Sequence, residues 1–436
     1  MKELKFKEDD RILVLAPHPD DEVIGCAGVI QRALSMKLPI HITFLTYGDS
    51  NQLSFLLYRK YPVLMPRAVT RMGLVRYDEA VAATRILGLS QGQLTFLGYP
   101  DFRTLNIWCS RWAQQSPLKG ILTRSRAVPY KSALRPGALH KGEEILKDLK
   151  AIISRVKPTK IFVSHPADYH GDHLAYYLYT RVALWDLRMG EVELYPYLIH
   201  FLRWPKPKGF RLGKPLEPPH LLSEQISWWR YQLTPEQFIL KRRALEAHRS
   251  QYRSAARYLL SFIRGNELFG DLPVIKLHPD SHGASLRPEQ EKNNKDTPFA
   301  ELTAKEQRAF VGVKWKSIRL HADELIISID LSRPLAKNVG ASIYVFGYRV
   351  DKGFGQMPKI HVRLGVMKYS VYDKSTRLQQ GVIKVTRDAN QVLIRVPLNL
   401  LNDPKYILTN ARTYLGEVPL DSVSWRILQL PLGPSL

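Results

Sequence analysis

The chain has 436 residues, 45% apolar and 24% charged, which fits a globular protein of two or three domains and excludes a fibrous or wholly disordered one. Two cysteines, Cys26 and Cys109, exclude a disulfide framework, and no apolar run approaches the ~20 residues that a membrane helix needs. The net charge of +24 predicts attraction to anionic partners such as phosphorylated sugars, acidic polysaccharides, a lipid surface or nucleic acid, without choosing among them.

In chain order, residues 1–10 are charged and show no secretory signal, so a cytoplasmic setting is expected. The apolar run 12–16 reads as a buried strand of a parallel sheet, and the small and apolar residues from Val23 to about Met36 as a helix. Further strands are expected over 40–46 and 93–97, with a helix between them that opens at Arg76 and stops at Gly88. Residues 102–142, rich in Arg, Trp, Ser and Pro, form an insertion expected to be a lid or a substrate-contacting segment, or else partly disordered. A helix over 143–156, a strand over 159–164, a helix from Leu174 and a strand over 191–204 follow. This alternation predicts an α/β domain over 1–272 with a Rossmann-like three-layer parallel sheet. Within it, Thr234-Pro235-Glu236-Gln237 is a capping box opening one long helix towards Phe262. After a linker at 273–300 the pattern changes to short alternating segments at 317–321, 324–331, 341–346, 359–364, 381–386, 391–396 and 424–428. These predict an all-β, sandwich-like domain over 301–436.

Two of the expected strands end in clusters of imidazoles and carboxylates: His18-Pro19-Asp20-Asp21-Glu22 after the first, and His165-Pro166-Ala167-Asp168-Tyr169-His170-Gly171-Asp172-His173 after the strand at 159–164. Open α/β sheets bind ligands at the carboxyl ends of their strands. Adjacent acids are costly to hold together unless positive charge sits between them. His18, Asp21 and His173 are therefore the expected ligands of a divalent metal; imidazole with carboxylate suits Zn²⁺, with Fe²⁺ and Mn²⁺ as alternatives. Asp20, beside a ligand but not used as one, is placed to take a proton from water. His170 can face the same point and, as an imidazolium, stabilise an oxyanion or protonate a leaving amine. Asp172 completes the catalytic group as a carboxylate that orients an imidazole. These are the parts of metal-assisted amide hydrolysis. Asp168 and His165 read as structural loop residues, His248 as packing, and Arg76 with Glu79 as either a surface pair or a support for the site. Trp108, Trp112, Trp228 and Trp229 are either buried or able to stack on sugar rings.

With both motifs in view, the chain resembles the PIG-L (LmbE-like) N-acetylglucosaminyl deacetylase family over roughly residues 8 to 270. Arg76-x-x-Glu79, Gly98-Tyr99-Pro100-Asp101, Ala247-His248-Arg249-Ser250-Gln251 and Asn266-Glu267-Leu268-Phe269 agree with it. The resemblance implies a Rossmann-like fold, a zinc site, and removal of an N-acetyl group from an amino sugar or sugar conjugate. It places ligands on His18, Asp21 and His173, the base on Asp20 and the oxyanion or acid histidine on His170. The insertion and the domain after 300 lie outside the family pattern, so the substrate's identity does not carry over. Two alternatives stand beside this reading: an amidase on a non-sugar substrate, and a basic glycan- or nucleic-acid-binding protein with an inactive site. No nucleic-acid motif is present, so no nucleic-acid partner is expected. The C-terminal domain weakly resembles carbohydrate-binding β-sandwiches; a packing or oligomerisation module is the other reading.

Overall fold

A computed structural model describes residues 1–51, 65–211, 213–279, 283–286, 302–416 and 418–431. The chain divides into two compact units, Met1–Asp271 and Leu272–Leu436.

The first unit is built on a parallel sheet of β2 (Ile12–Ala16), β3 (Ile40–Thr46), β4 (Leu94–Tyr99), β5 (Lys160–Ser164) and β6 (Glu193–Tyr197), in the order β4-β3-β2-β5-β6. All five residues of β2 and of β5 are buried, which is why their sequences are apolar runs without alternation. Helices α1 (Asp21–Ser35), α2 (Pro66–Ile86), α4 (Gly142–Val156) and α5 (Gly171–Asp186) link these strands. Right-handed crossovers on either side of β2 put α1 and α2 on one face of the sheet and α4 and α5 on the other. The chain leaves β2 towards β3 on one side and returns at β5 on the other. Ile12 pairs with Lys160, so the two five-residue strands end at the same level. The crevice between their carboxyl ends is the topological switch point where such sheets take ligands. A smaller sheet of β1 (Lys2–Glu3), β7 (Trp228–Gln232) and β8 (Asn266–Gly270) completes the unit, with β7 antiparallel to β8.

Several expectations need correction. Helix α2 begins at Pro66, ten residues before Arg76, with proline at its first position. The segment 102–142 is packed, not loose: it holds α3 (Thr104–Ser110), and Trp108 and Trp112 are buried against Tyr179. The single long helix after Thr234 is two helices, α7 (Pro235–Ala247) and α8 (Arg249–Leu259), broken at His248. Trp228 is buried.

The second unit is a mainly antiparallel β structure. One sheet has the order β10-β11-β12-β18-β17, comprising Ala284–Ser285, Val313–His321, Glu324–Leu331, Gln391–Pro397 and Lys384–Asp388. The other has β16 (Thr376–Arg377), β15 (Tyr369–Asp373), β14 (Lys359–Leu364), β13 (Val339–Tyr348), β19 (Tyr406–Leu415), β21 (Arg426–Gln429) and β9 (Ile275–Lys276), with β20 (Val418–Ser422) also on β19. One core joins them, with Ile318, Ile327 and Ile394 from the first sheet and Ile343, Val362 and Ile407 from the second. The strands β9 and β10 fall inside the stretch 273–300 expected as linker; residues 280–282 and 287–300 of that stretch lie outside the described residues. Among the described residues no helix is long and apolar enough to cross a membrane.

Candidate metal centre

The turn after β2 is held in an unusual shape. Asp20 has φ 124° and ψ −28°, a backbone conformation that L residues rarely adopt. Its N–H donates to Glu22 Oε2 (2.8 Å), and the carbonyl of Pro19 beside it accepts from the Arg76 guanidinium (2.6 Å). The same guanidinium donates to Gly48 O (2.7 Å) and lies 3.5 Å from Asp20 Oδ2. Arg76 and Glu79 are therefore not a surface pair: both are buried, and Glu79 accepts from the N–H and hydroxyl of Ser250 (2.8 and 2.6 Å).

This turn brings three of the expected residues to one point. Asp21 Oδ2 accepts the His18 N–H (2.9 Å) and lies 3.2 Å from His18 Nδ1 and 3.2 Å from His173 Nε2. Two atoms bound to one zinc at ~2.0–2.2 Å in tetrahedral geometry stand about 3.3 Å apart, so the spacing fits a shared cation. The far side of each imidazole faces carboxylate. His18 Nε2 lies 3.1 Å from both Asp101 Oδ1 and Asp172 Oδ2, and His173 Nδ1 lies 3.1 Å from Asp168 Oδ2. A carboxylate behind a histidine fixes which ring nitrogen is left to bind metal. Both nitrogens of His173 are buried, one facing Asp21 Oδ2 and the other Asp168 Oδ2.

The charges answer one another. Burial opposes the imidazolium of His173, but Asp168 and Asp21 outweigh it and raise its pKa to about 9. Burial likewise opposes a charged His18, and hydrogen bonds donated by its ring to Asp101, Asp172 and Asp21 hold it well above the usual histidine range. Asp21 is held well below the carboxylate range by His173 and His18 despite its burial. Protons on these rings occupy the place that a cation would take. Asp20 differs: burial, relieved only in part by Arg76 and increased by Asp21, pushes its carboxyl up to about 7.

His170 is the N-cap of α5, and its Nδ1 accepts the Asp172 N–H (3.3 Å). Burial and the neighbouring His18 hold its pKa well below the usual histidine range. Asp172 stands behind His18 and not behind His170: it accepts from Thr104 N–H and Oγ1 (3.0 and 2.5 Å) and Phe102 N–H (2.7 Å), and lies 3.9 Å from His170 Nδ1. Asp168 ties the loop together, accepting from the N–H groups of His170 (2.9 Å), Ile199 (3.2 Å) and His200 (2.9 Å). His165 is turned to Trp228, on which its ring stacks at 5.6 Å.

The sequence assigns no role to two site residues: Asp101, which it offers only within Gly98-Tyr99-Pro100-Asp101, and His200. Asp101 follows β4, and His200, with its ring 4.8 Å from that of His173, follows β6. Both lie just beyond the carboxyl ends of strands in the same parallel sheet, the signal that could have found them. Donor atoms of His18, His170 and His173, of Asp21, His173 and His200, and of His18, Asp101 and Asp172 each lie within 4.8 Å of one another. A cavity of about 150 Å³ opens onto Asp20, Asp21, His18 and His170.

No curated protein matches the chain. Among solved structures, N,N'-diacetylchitobiose deacetylase from Pyrococcus horikoshii is similar at 18% identity, covering 57% of this chain and 75% of its own, with a TM-score of 0.35. The A40926 pseudoaglycone deacetylase Dbv21 is similar at 15% identity, covering 60% and 96%, with a TM-score of 0.40. GalB, a 4-carboxy-2-hydroxymuconate hydratase from Pseudomonas putida KT2440, is similar at 15% identity, covering 61% and 98%, with a TM-score of 0.34. Residues 13–184, which hold both motifs, match the family model PIG-L, described as GlcNAc-PI de-N-acetylase.

Proposed function

We propose that the chain is a metal-dependent hydrolase that removes an N-acetyl group from an amino sugar or sugar conjugate. The observation that carries this reading is the single oxygen, Asp21 Oδ2, standing 3.2 Å from a ring nitrogen of His18 and of His173, with Asp20 next to it in sequence and unliganded. His18, Asp21 and His173 would hold the cation, and their N/O donor set suits zinc. When bound, such a cation supplies a Lewis acid and lowers the pKa of water towards ~7.

Asp20 is the base. A carboxyl that titrates near neutrality accepts the proton of the attacking water and can pass it to the departing amine. His170, neutral with Nε2–H free to donate, hydrogen-bonds the oxygen on which negative charge develops. Asp101 and Asp172 hold His18, and Asp168 holds His173, so that each presents one nitrogen to the ligand point. Arg76 fixes the Pro19 carbonyl and so the aim of Asp20.

The test is metal analysis of the purified protein together with acetate release from N-acetylglucosamine and N,N'-diacetylchitobiose. Stoichiometric metal and acetate release that fails in Asp20→Asn support the reading. Absence of metal, or unaltered turnover in Asp20→Asn, overturns it. An acylated amino acid run in parallel separates sugar deacetylation from a general amidase.

A further inference from the structure

The residue after Asp101 is Phe102, and its backbone lies at φ +61°, in the left-handed region that favours glycine. A bulky side chain there is an outlier, and something must hold it. Its N–H donates to Asp172 Oδ2 (2.7 Å) and to Asp101 Oδ1 (3.0 Å), the same two carboxylates that stand behind His18. The ring gains little from folding in return: Phe102 is 50% exposed. Its neighbour is His170, with ring centroids 4.7 Å apart, and it lines the mouth of the cavity above the metal-binding residues. Exposed apolar residues are ordinary; an exposed aromatic held in a strained backbone at the rim of a site is not.

The rest of the cavity lining indicates what the ring faces. Asn51 and Gln251 bring amide groups to the same cavity, and the buried Arg76 and Asp101 also line it. A pyranose has an edge of hydroxyls, which such groups recognise, and a face of axial C–H bonds, which lies favourably on an aromatic ring. We infer that Phe102 is a specificity-determining residue, a platform on which the C–H face of the sugar ring stacks while its acetamido group reaches Asp20 and His170. This rests on the deacetylase reading above and deepens it by assigning the ring contact to one side chain.

Full-length, zinc-loaded protein carrying Phe102→Gly, Phe102→Leu or Phe102→Tyr would be assayed for kcat and KM on N,N'-diacetylchitobiose, and for thermal melting. Expected is a KM about tenfold higher in the Gly and Leu variants, with kcat changed far less, and a KM near wild type in the Tyr variant. The Gly variant should melt no lower than wild type, because glycine relieves the backbone, so its loss cannot be blamed on unfolding. An unchanged KM in both Gly and Leu overturns the inference. So does a fall in kcat alone, which would make Phe102 a positioning residue for His170, and so does an equal KM rise for an acyclic N-acetyl amide. Wild-type protein that releases no acetate from any amino sugar would overturn the deacetylase reading itself, whereas turnover with a ring-insensitive KM overturns only this proposal.

Discussion

His248 Nε2 lies 2.9 Å from Glu22 Oε1, and both side chains are fully buried. The other oxygen of Glu22 accepts the N–H of Asp20, so a histidine at the break between α7 and α8 is connected through one carboxylate to the backbone of the proposed base. Burial opposes a charged His248, yet Glu22 raises its pKa, consistent with a buried ion pair. His248→Ala would leave that carboxylate buried and unpaired. It should lower unfolding stability by about 3 kcal/mol in chemical denaturation, with Gln recovering part of the loss by hydrogen bonding.

Asp20 combines a strained backbone with a buried carboxyl beside Asp21. Both features are unfavourable to folding. Asp20→Gly is therefore expected to melt at or above wild type while losing activity, the pattern of a residue kept for chemistry. Asp20→Asn should lower kcat by about 10²–10⁴ with metal content retained. Loss of the metal in Asp20→Asn would contradict its placement outside the ligand set.

Asp168 touches no substrate in this account; it fixes the His173 ring by the 3.1 Å approach to Nδ1. Asp168→Asn should weaken zinc binding by about 10–100-fold, read by competition with a chromophoric chelator. An unchanged affinity would mean that the loop, and not this carboxylate, sets the ring.

Much of the site was legible because β2 and β5 are short, fully buried strands whose apolar runs stop abruptly at His and Asp. What was missed came from places where local pattern and tertiary context part. Asp101 and His200 belong to loops after β4 and β6; Asp101 ends Gly98-Tyr99-Pro100-Asp101 with no imidazole beside it, and His200 stands in no quoted motif. The break at His248 was hidden because apolar spacing continues across it, while the buried contact to Glu22 that occupies it is long-range. Strand β19 escaped because Thr409, Asn410 and Thr413 are buried as well as its apolar residues, which blurs the alternation that marks a half-exposed strand. Which imidazole Asp172 would face was not legible, because its partner, His18, is 154 residues away.

The second unit gives a pH test on a residue outside the unit that carries the candidate ligands. Burial, then the nearby Arg363 and Arg412, lower the pKa of His361 to about 3, while its Nε2 faces Ser342 Oγ at 2.8 Å and its ring stacks on Tyr344. Between the unfolded value of 6.5 and the folded value the unfolded chain binds the extra proton. Stability is therefore fully present above about pH 6.5 and is lost as pH falls towards 3, by at most about 1.4 kcal/mol per pH unit from this group. Denaturation at pH 7 and pH 5 should show a smaller difference for His361→Gln than for wild type; equal differences would contradict a neutral buried ring.

The most direct test of the shared ligand point is anomalous scattering at the zinc edge from crystals of the zinc-loaded protein. A single peak bounded by His18 Nδ1, Asp21 Oδ2 and His173 Nε2, with Asp20 unliganded, is the expected result. A peak held by other donors such as His170 and His200, or none at all, would contradict it.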